Sequence, residues 1–281
     1  MQRALSTHLF INHRLTAVWL DRIWDAGIPL VEFYCARQHL DYQNRAQISE
    51  LGYWFRDSPL KLHSVHSPVF SDEVNGVSGP QSVINITEPL KNKRIPMLDE
   101  IKRALDIAES VPFRYLIQHF GVAGQEYDER SIDAAFTALE EISLFARQRG
   151  VEVLLENIPN ALSSAERLLF FLGVTHLPLK ICFDTGHAHL CEGVETAYRM
   201  LKGHIRSIHV HDNNGKDDEH LFPGAGDGTI DWPRAMQALR SQPDAYPLLL
   251  ELREVPDQGL PFDALNRVFD TLESAKLPDE S

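Results

Sequence analysis

Eight short apolar runs, rich in β-branched residues, recur along the chain with longer amphipathic stretches between them. They fall at 5–9, 28–34, 60–66, 113–119, 151–156, 178–184, 205–211 and 246–252. Runs of this length and character are what parallel strands buried on both faces require. The stretches between them carry a helical period. It is clearest in Ser131–Arg149, where Ile132, Ala135, Phe136, Leu139, Ile142, Leu144 and Phe145 recur at helical spacing. Gly150 follows as a C-cap, and Asp231-Trp232-Pro233 reads as an N-cap with proline at an early helical position. Eight strand–helix units in 281 residues predict an α/β fold, a (β/α)8 TIM barrel forming one domain over residues 1–281. A doubly wound open sheet is the competing architecture, and the near-even spacing of the units favours the barrel. The longest irregular stretch, Ser67–Ile95, follows the third strand, and loops of that length are usually functional or mobile.

Charge narrows the partners. Lys and Arg number 27 against 40 Asp and Glu, a net charge of −13. An acidic chain without a basic stripe repels a phosphate backbone, so a nucleic-acid partner is not expected. The nearest approach to a stripe, Lys91-Asn92-Lys93-Arg94, reads as a solvated loop. Three cysteines, Cys35, Cys182 and Cys191, with no CxxC, argue against a disulfide framework and for a reducing compartment. No leader-like N-terminus is visible, and no apolar run approaches the roughly 18 residues of a membrane span. The expectation is a cytoplasmic protein with no membrane partner, in which the sequon Asn85-Ile86-Thr87 is accidental.

Barrel enzymes place their chemistry at the C-terminal ends of the strands. There the polar residues concentrate. The third strand ends at His66, the fourth at His119 and the fifth at Glu156. The sixth ends in Asp184-Thr185-Gly186-His187, the seventh in His209-Val210-His211-Asp212, and the eighth contains Glu251. A single strand-end histidine has an ordinary structural explanation. Two glutamates inside apolar runs are harder to explain that way, because a buried carboxylate must be paired or coordinated. With Asp184 beside them in a narrow barrel mouth, a divalent cation is the natural neutraliser. His209 and His211, two apart on a strand, share a face. The run Pro223-Gly224-Ala225-Gly226-Asp227-Gly228 follows a loop and not a strand, which rules out a dinucleotide fingerprint and suggests a tight turn near a ligand.

These residues resemble the xylose isomerase-like barrels, a superfamily of sugar and sugar-phosphate isomerases and epimerases that also holds AP endonuclease family 2, or endonuclease IV. The resemblance spans nearly the whole chain. It is carried by Leu154-Leu155-Glu156-Asn157, by Asp184-Thr185-Gly186-His187-Ala188-His189, by the stretch from His209 through Asp218-Glu219-His220 to Ile230-Asp231-Trp232, and by Leu248-Leu249-Leu250-Glu251. Similarity to the epimerase branch implies one divalent ion on Glu156, Asp184, His209 and Glu251. It also implies proton exchange by Glu156 and Glu251, and a substrate-binding His187. The arginine that this branch carries shortly after the strand-seven histidine is missing from Asn213-Asn214-Gly215-Lys216-Asp217-Asp218. Similarity to the endonuclease IV branch implies three zinc ions, with His66, His119, His187, Asp218 and His220 as additional ligands.

Two readings stand on this evidence. In the first, a divalent metal polarises a sugar or sugar-phosphate carbonyl while Glu156 and Glu251 move a proton α to it. His187, His211 and Glu32 would hold hydroxyls, and Trp54 or Trp232 would stack on a sugar face; Trp232 reads equally as the first apolar anchor of its helix, and Glu32 equally as a surface or structural residue. In the second, the chain is a multi-zinc phosphodiesterase. An oxygen-rich set with one histidine suits Mn, Mg or Co, and the histidine-rich set suits Zn. Membership of this group is also compatible with a homo-oligomer.

Overall fold

The computed structural model describes residues 1–71, 82–254 and 262–277. Eight parallel strands run in sequence order: β1 (Arg3–Ser6), β2 (Leu30–Tyr34), β3 (Lys61–His66), β4 (Tyr115–His119), β5 (Glu152–Glu156), β6 (Lys180–Asp184), β7 (Ile205–His209) and β8 (Leu248–Leu250). Each pairs with its sequence neighbour, and β1 also pairs with β8. Between β7 and β8 the ring is closed by two backbone bonds. Val210 N donates to Leu249 O at 2.9 Å, and Glu251 N donates to Val210 O at 3.2 Å. The helices between and after the strands are α1 (Ala17–Asp25), α2 (Arg45–Asp57), α3 (Lys91–Leu105), α4 (Glu129–Arg147), α5 (Ala165–Val174), α6 (Thr185–Leu190), α7 (Val194–Leu201), α8 (Trp232–Leu239) and α9 (Phe262–Ser274). The described residues form a TIM barrel. Among the described residues no helix is long and apolar enough to cross a membrane.

The two-residue period of the strands sorts side chains between two cores. Val31, Phe33, Leu116, Leu155, Phe183 and Ile208 face the helices and join the large outer core. Tyr115, Ile117, Leu154 and Cys182 form a separate cluster. Two residues further along the strands, this inner row arrives at the strand ends as His119, Glu156 and Asp184.

Several local features follow the sequence. Gly150, at φ +72°, lets Val151 N return to Ala146 O at 3.0 Å and stops α4. The side chain of Asp231 caps α8 at Arg234 N, with Pro233 in the first turn. Others differ. The run at 5–9 is strand only as far as Ser6, whose hydroxyl caps a 3-10 turn over Thr7–Phe10. The run Lys91-Asn92-Lys93-Arg94 is the first turn of α3 and not a loop, and Arg94 is buried there, donating to the carbonyls of Glu88 and Pro89. Of the irregular stretch Ser67–Ile95, residues 72–81 lie outside the described residues.

Candidate metal centre

At the C-terminal mouth of the barrel the described residues assemble three adjoining groups of ligand-type side chains, each with its ligating atoms within 4.8 Å of one another. His66, His119 and Glu156 form the first. Glu156, Asp184, His209 and Glu251 form the second, and His187, His211, Asp218 and His220 the third. Strand ends supply most of them. Asp218 and His220 come from the loop after β7, which returns to the barrel through paired bonds between Asp212 and Leu221.

Glu156 joins the first two groups. Its Oε2 lies 3.2 Å from His66 Nε2 and 3.3 Å from His119 Nε2. Its Oε1 lies 3.1 Å from His209 Nδ1 and 3.5 Å from His187 Nδ1. His209 Nδ1 is also 3.1 Å from Glu251 Oε2 and 3.8 Å from Asp184 Oδ2. In the third group Asp218 Oδ2 meets His187 Nε2 at 3.1 Å and His220 Nε2 at 3.4 Å. His211 Nε2 lies 3.0 Å from Asp184.

Electrostatics show what these groups want. Burial would raise the Glu156 carboxyl, but the charges of His209 and His119 hold it well below the usual carboxylate range. Glu251 is held down against burial by His209 and His220 in the same way. Burial would lower His187, yet Asp184 and Asp218 carry it up to about 10. His220, buried as deeply, rises to about 9 beside Asp218. The carboxylates thus hold His187, His209 and His220 toward the imidazolium form, whereas burial pushes His119 down toward the neutral one. His66 Nε2 and His119 Nε2 lie 3.1 Å apart, both aimed at Glu156 Oε2. His187 Nδ1 is buried without a hydrogen bond. Converging imidazole nitrogens and carboxylates of this kind fit divalent cations, and the groups could hold them.

All nine ligand candidates read from the sequence thus come together. Four candidate substrate contacts sit elsewhere. His211 is fully buried and belongs to the third ligand group, not to an open substrate wall. Glu32 is fully buried and bonded to Ser64 and His209, the structural role the sequence also allowed. Trp54 sits on the outer helix α2, where its Nε1 donates to Asp21 at 2.9 Å, away from the mouth. Trp232 is buried too, donating to Asp212 at 2.6 Å as the anchor of α8.

The sequence reading missed His8 and Tyr34, whose rings lie tilted against the ligand rings His220 and His66 respectively, each at 4.7 Å between centroids. For Tyr34 the two-residue step from Glu32 along β2 was the signal that could have found it. It also missed Asn157, which bonds Asp184 O at 3.0 Å and Asp184 N at 2.8 Å and so sets the end of β6.

Comparison with known proteins agrees with this architecture. The family model described as xylose isomerase-like TIM barrel matches residues 20–272. An uncharacterised protein of Methanocaldococcus jannaschii is 28% identical over 85% of this chain and 80% of its own length. A probable endonuclease 4 of Natronomonas pharaonis is 27% identical over 51% of this chain and 58% of its own. Among solved structures, a D-tagatose 3-epimerase-like protein superposes with a TM-score of 0.75 at 22% identity, covering 97% of this chain and 98% of that one. The IOLI protein, solved with a bound zinc atom, gives 0.73 at 17% identity over 97% and 96%. At those identities the structures show a shared fold. The family match runs over most of the barrel and includes all three ligand groups, and the chain belongs to the xylose isomerase-like TIM barrel family.

Proposed function

We propose that this protein is a multinuclear, divalent-metal-dependent hydrolase of phosphate esters. The observation that carries this reading is the engagement of both Glu156 oxygens. Oε2 faces His66 and His119, and Oε1 faces His209 and His187. A carboxylate shared between two ligand groups would serve both ions. A proton-exchanging base needs an oxygen turned toward substrate, and Glu156 has none to spare. Three ligand groups, the third complete with His211, support the same reading. Its donor set, rich in imidazole, suits zinc.

His66, His119 and Glu156 would hold one ion, Glu156, Asp184, His209 and Glu251 a second, and His187, His211, Asp218 and His220 a third. Bound there, the ions supply Lewis acidity and charge neutralisation toward a phosphoryl group. The chain's own part is to keep Glu156 and Glu251 ionised and to exclude water from all sides but the mouth. Asp218, with 37% of its side chain exposed, is the ligand open to an incoming ester. A net charge of −13 and the internal use of Arg94 favour a small phosphate ester over bulk duplex DNA.

One observation favours the second reading, an isomerase or epimerase of a sugar or sugar phosphate with a single Mn, Mg or Co. Glu156 and Glu251 each lie 3.1 Å from His209 Nδ1, flanking it as a proton-exchanging pair would. Metal content by mass spectrometry on protein purified without chelator, followed by two assays, separates the readings. Close to three zinc ions per chain with hydrolysis of bis-p-nitrophenyl phosphate or a sugar phosphate supports the hydrolase. One ion per chain with solvent deuterium exchange into a ketose panel and no hydrolysis overturns it.

A further inference from the structure

Glu32 is a fully buried carboxylate on β2, level with Ser64 on β3 and two residues short of the His66 layer. Among the described residues its ion-pair partner is His209, and the buried His63 ring is near enough to feel its charge. Both Glu32 oxygens lie 3.1 Å from His209 Nε2, and Oε2 also accepts from Ser64 Oγ at 2.7 Å. The opposite nitrogen of the same ring, Nδ1, points at Glu156, Asp184 and Glu251. His209 is therefore held between a carboxylate beneath it and the second ligand group above it, and both the ring and Glu32 are excluded from water.

A buried carboxylate with a single imidazole partner is too costly to be incidental. An ionised carboxylate only accepts hydrogen bonds, so whatever faces it must bring a proton. We propose that Glu32 is the positioning residue of the metal centre: it keeps the His209 proton on Nε2 and thereby presents the Nδ1 lone pair to the cation. The inference rests on reading Glu156, Asp184, His209 and Glu251 as a metal group. A neutral imidazole carries one proton, and a cation at Nδ1 needs it on the other nitrogen. Glu32 selects that tautomer in advance, while Ser64 fixes the carboxylate in turn. Outer carboxylates of this kind typically change metal affinity by about 10–100-fold.

The full-length protein, stripped with chelator and titrated with Zn²⁺ against a chromophoric competitor, tests this together with ¹⁵N-histidine NMR of the loaded state. Glu32→Gln keeps the shape but lets the amide NH₂ face Nε2, which moves the His209 proton to Nδ1. Its expected result is a roughly 10–100-fold loss of Zn²⁺ affinity for one ion, with a shifted visible spectrum of the Co²⁺-loaded form. Equal affinity and an unchanged spectrum would overturn the assignment. If Glu32→Gln does not fold, the wild-type NMR decides: a proton on His209 Nε2 supports the role, and one on Nδ1 overturns it. Wild-type protein that binds no ion at the second group would instead remove the reading on which the inference rests, and the titration of wild type shows that separately.

Discussion

Gly186 and His211 approach so closely that no side chain could stand at position 186. A Cβ built there would lie 2.0 Å from His211 Cε1 and 2.4 Å from its Nδ1. The space left by the missing side chain holds the His211 imidazole, whose Nε2 lies 3.0 Å from Asp184 in the third ligand group's corner of the mouth. Gly186→Ala must therefore rotate His211 out or move the start of α6. Forcing an atom into a packed site costs about 1–3 kcal/mol, so a lowered melting temperature is expected. A larger effect is expected on the third ion, whose occupancy by mass spectrometry should fall first. Unchanged metal content in a folded Gly186→Ala protein would contradict the placement of His211 in that group.

The loop that carries Asp218 and His220 depends on Asp212. Its buried carboxylate accepts from Thr229 N at 3.0 Å, Ile230 N at 3.1 Å, Gly224 N at 3.2 Å and Trp232 Nε1 at 2.6 Å. At Gly228 a Cβ would meet the same carboxylate at 2.5 Å, which explains the glycine in that turn. Each orphaned buried donor costs about 1–3 kcal/mol. Asp212→Ala should thus destabilise the protein by several kcal/mol and loosen the third group before the first. Amide hydrogen exchange at Thr229 and Ile230, faster in the variant at temperatures where β4 and β5 stay protected, is the measurement.

How much of this the sequence showed depends on what each residue's role rests on. His66, His119, Glu156 and Asp184 were legible because a buried parallel strand is an apolar run, and a polar residue at its end stands out. His209 and His211 were legible as sharing a face because the strand period is two. The level of a residue along the barrel axis was not. Glu32 lies inside its run just as a ligand would, and only the pairing with Ser64 places it beneath the mouth. Trp54 showed an aromatic ring but not which side of α2 it occupied. His8 was read as part of a strand, and the turn after Ser6 that brings it to the mouth is a tertiary choice. From its place outside the barrel, Trp54→Phe should leave activity and metal content unchanged.

Stability of the metal-free protein should fall on the alkaline side. His187 and His220 are carried from the usual 6.5 to about 10 and about 9, against burial, by Asp184 and Asp218. Groups raised on folding contribute stability that is complete below their unfolded value and lost as pH rises through the folded one. Their contribution is thus full below pH 6.5 and gone by about pH 10. Glu156 and Glu251, depressed on folding, contribute above about 4.5 and lose it as pH falls further. A cation competes with the same imidazole protons, so Zn²⁺ should protect more strongly as pH rises over that alkaline window. Melting curves of stripped and loaded protein between pH 5 and 10 check both signs. A metal-free melting temperature that is level from pH 6.5 upward would count against the imidazolium form of His187 and His220.

Glu156 and Glu251 should separate when each is replaced by glutamine. Glu156 belongs to two ligand groups and Glu251 to one. Glu156→Gln removes an anionic ligand from both and leaves His66 and His119 with no carboxylate between them. It is expected to empty two of the three groups, whereas Glu251→Gln empties the second alone. If Glu156 and Glu251 were instead an equivalent proton-exchanging pair on one ion, the two variants would lose the same metal and the same activity. Ion counts per chain on the two proteins, purified side by side, distinguish a bridging carboxylate from a base. The expected order is wild type, then Glu251→Gln, then Glu156→Gln, with phosphate-ester hydrolysis falling along it.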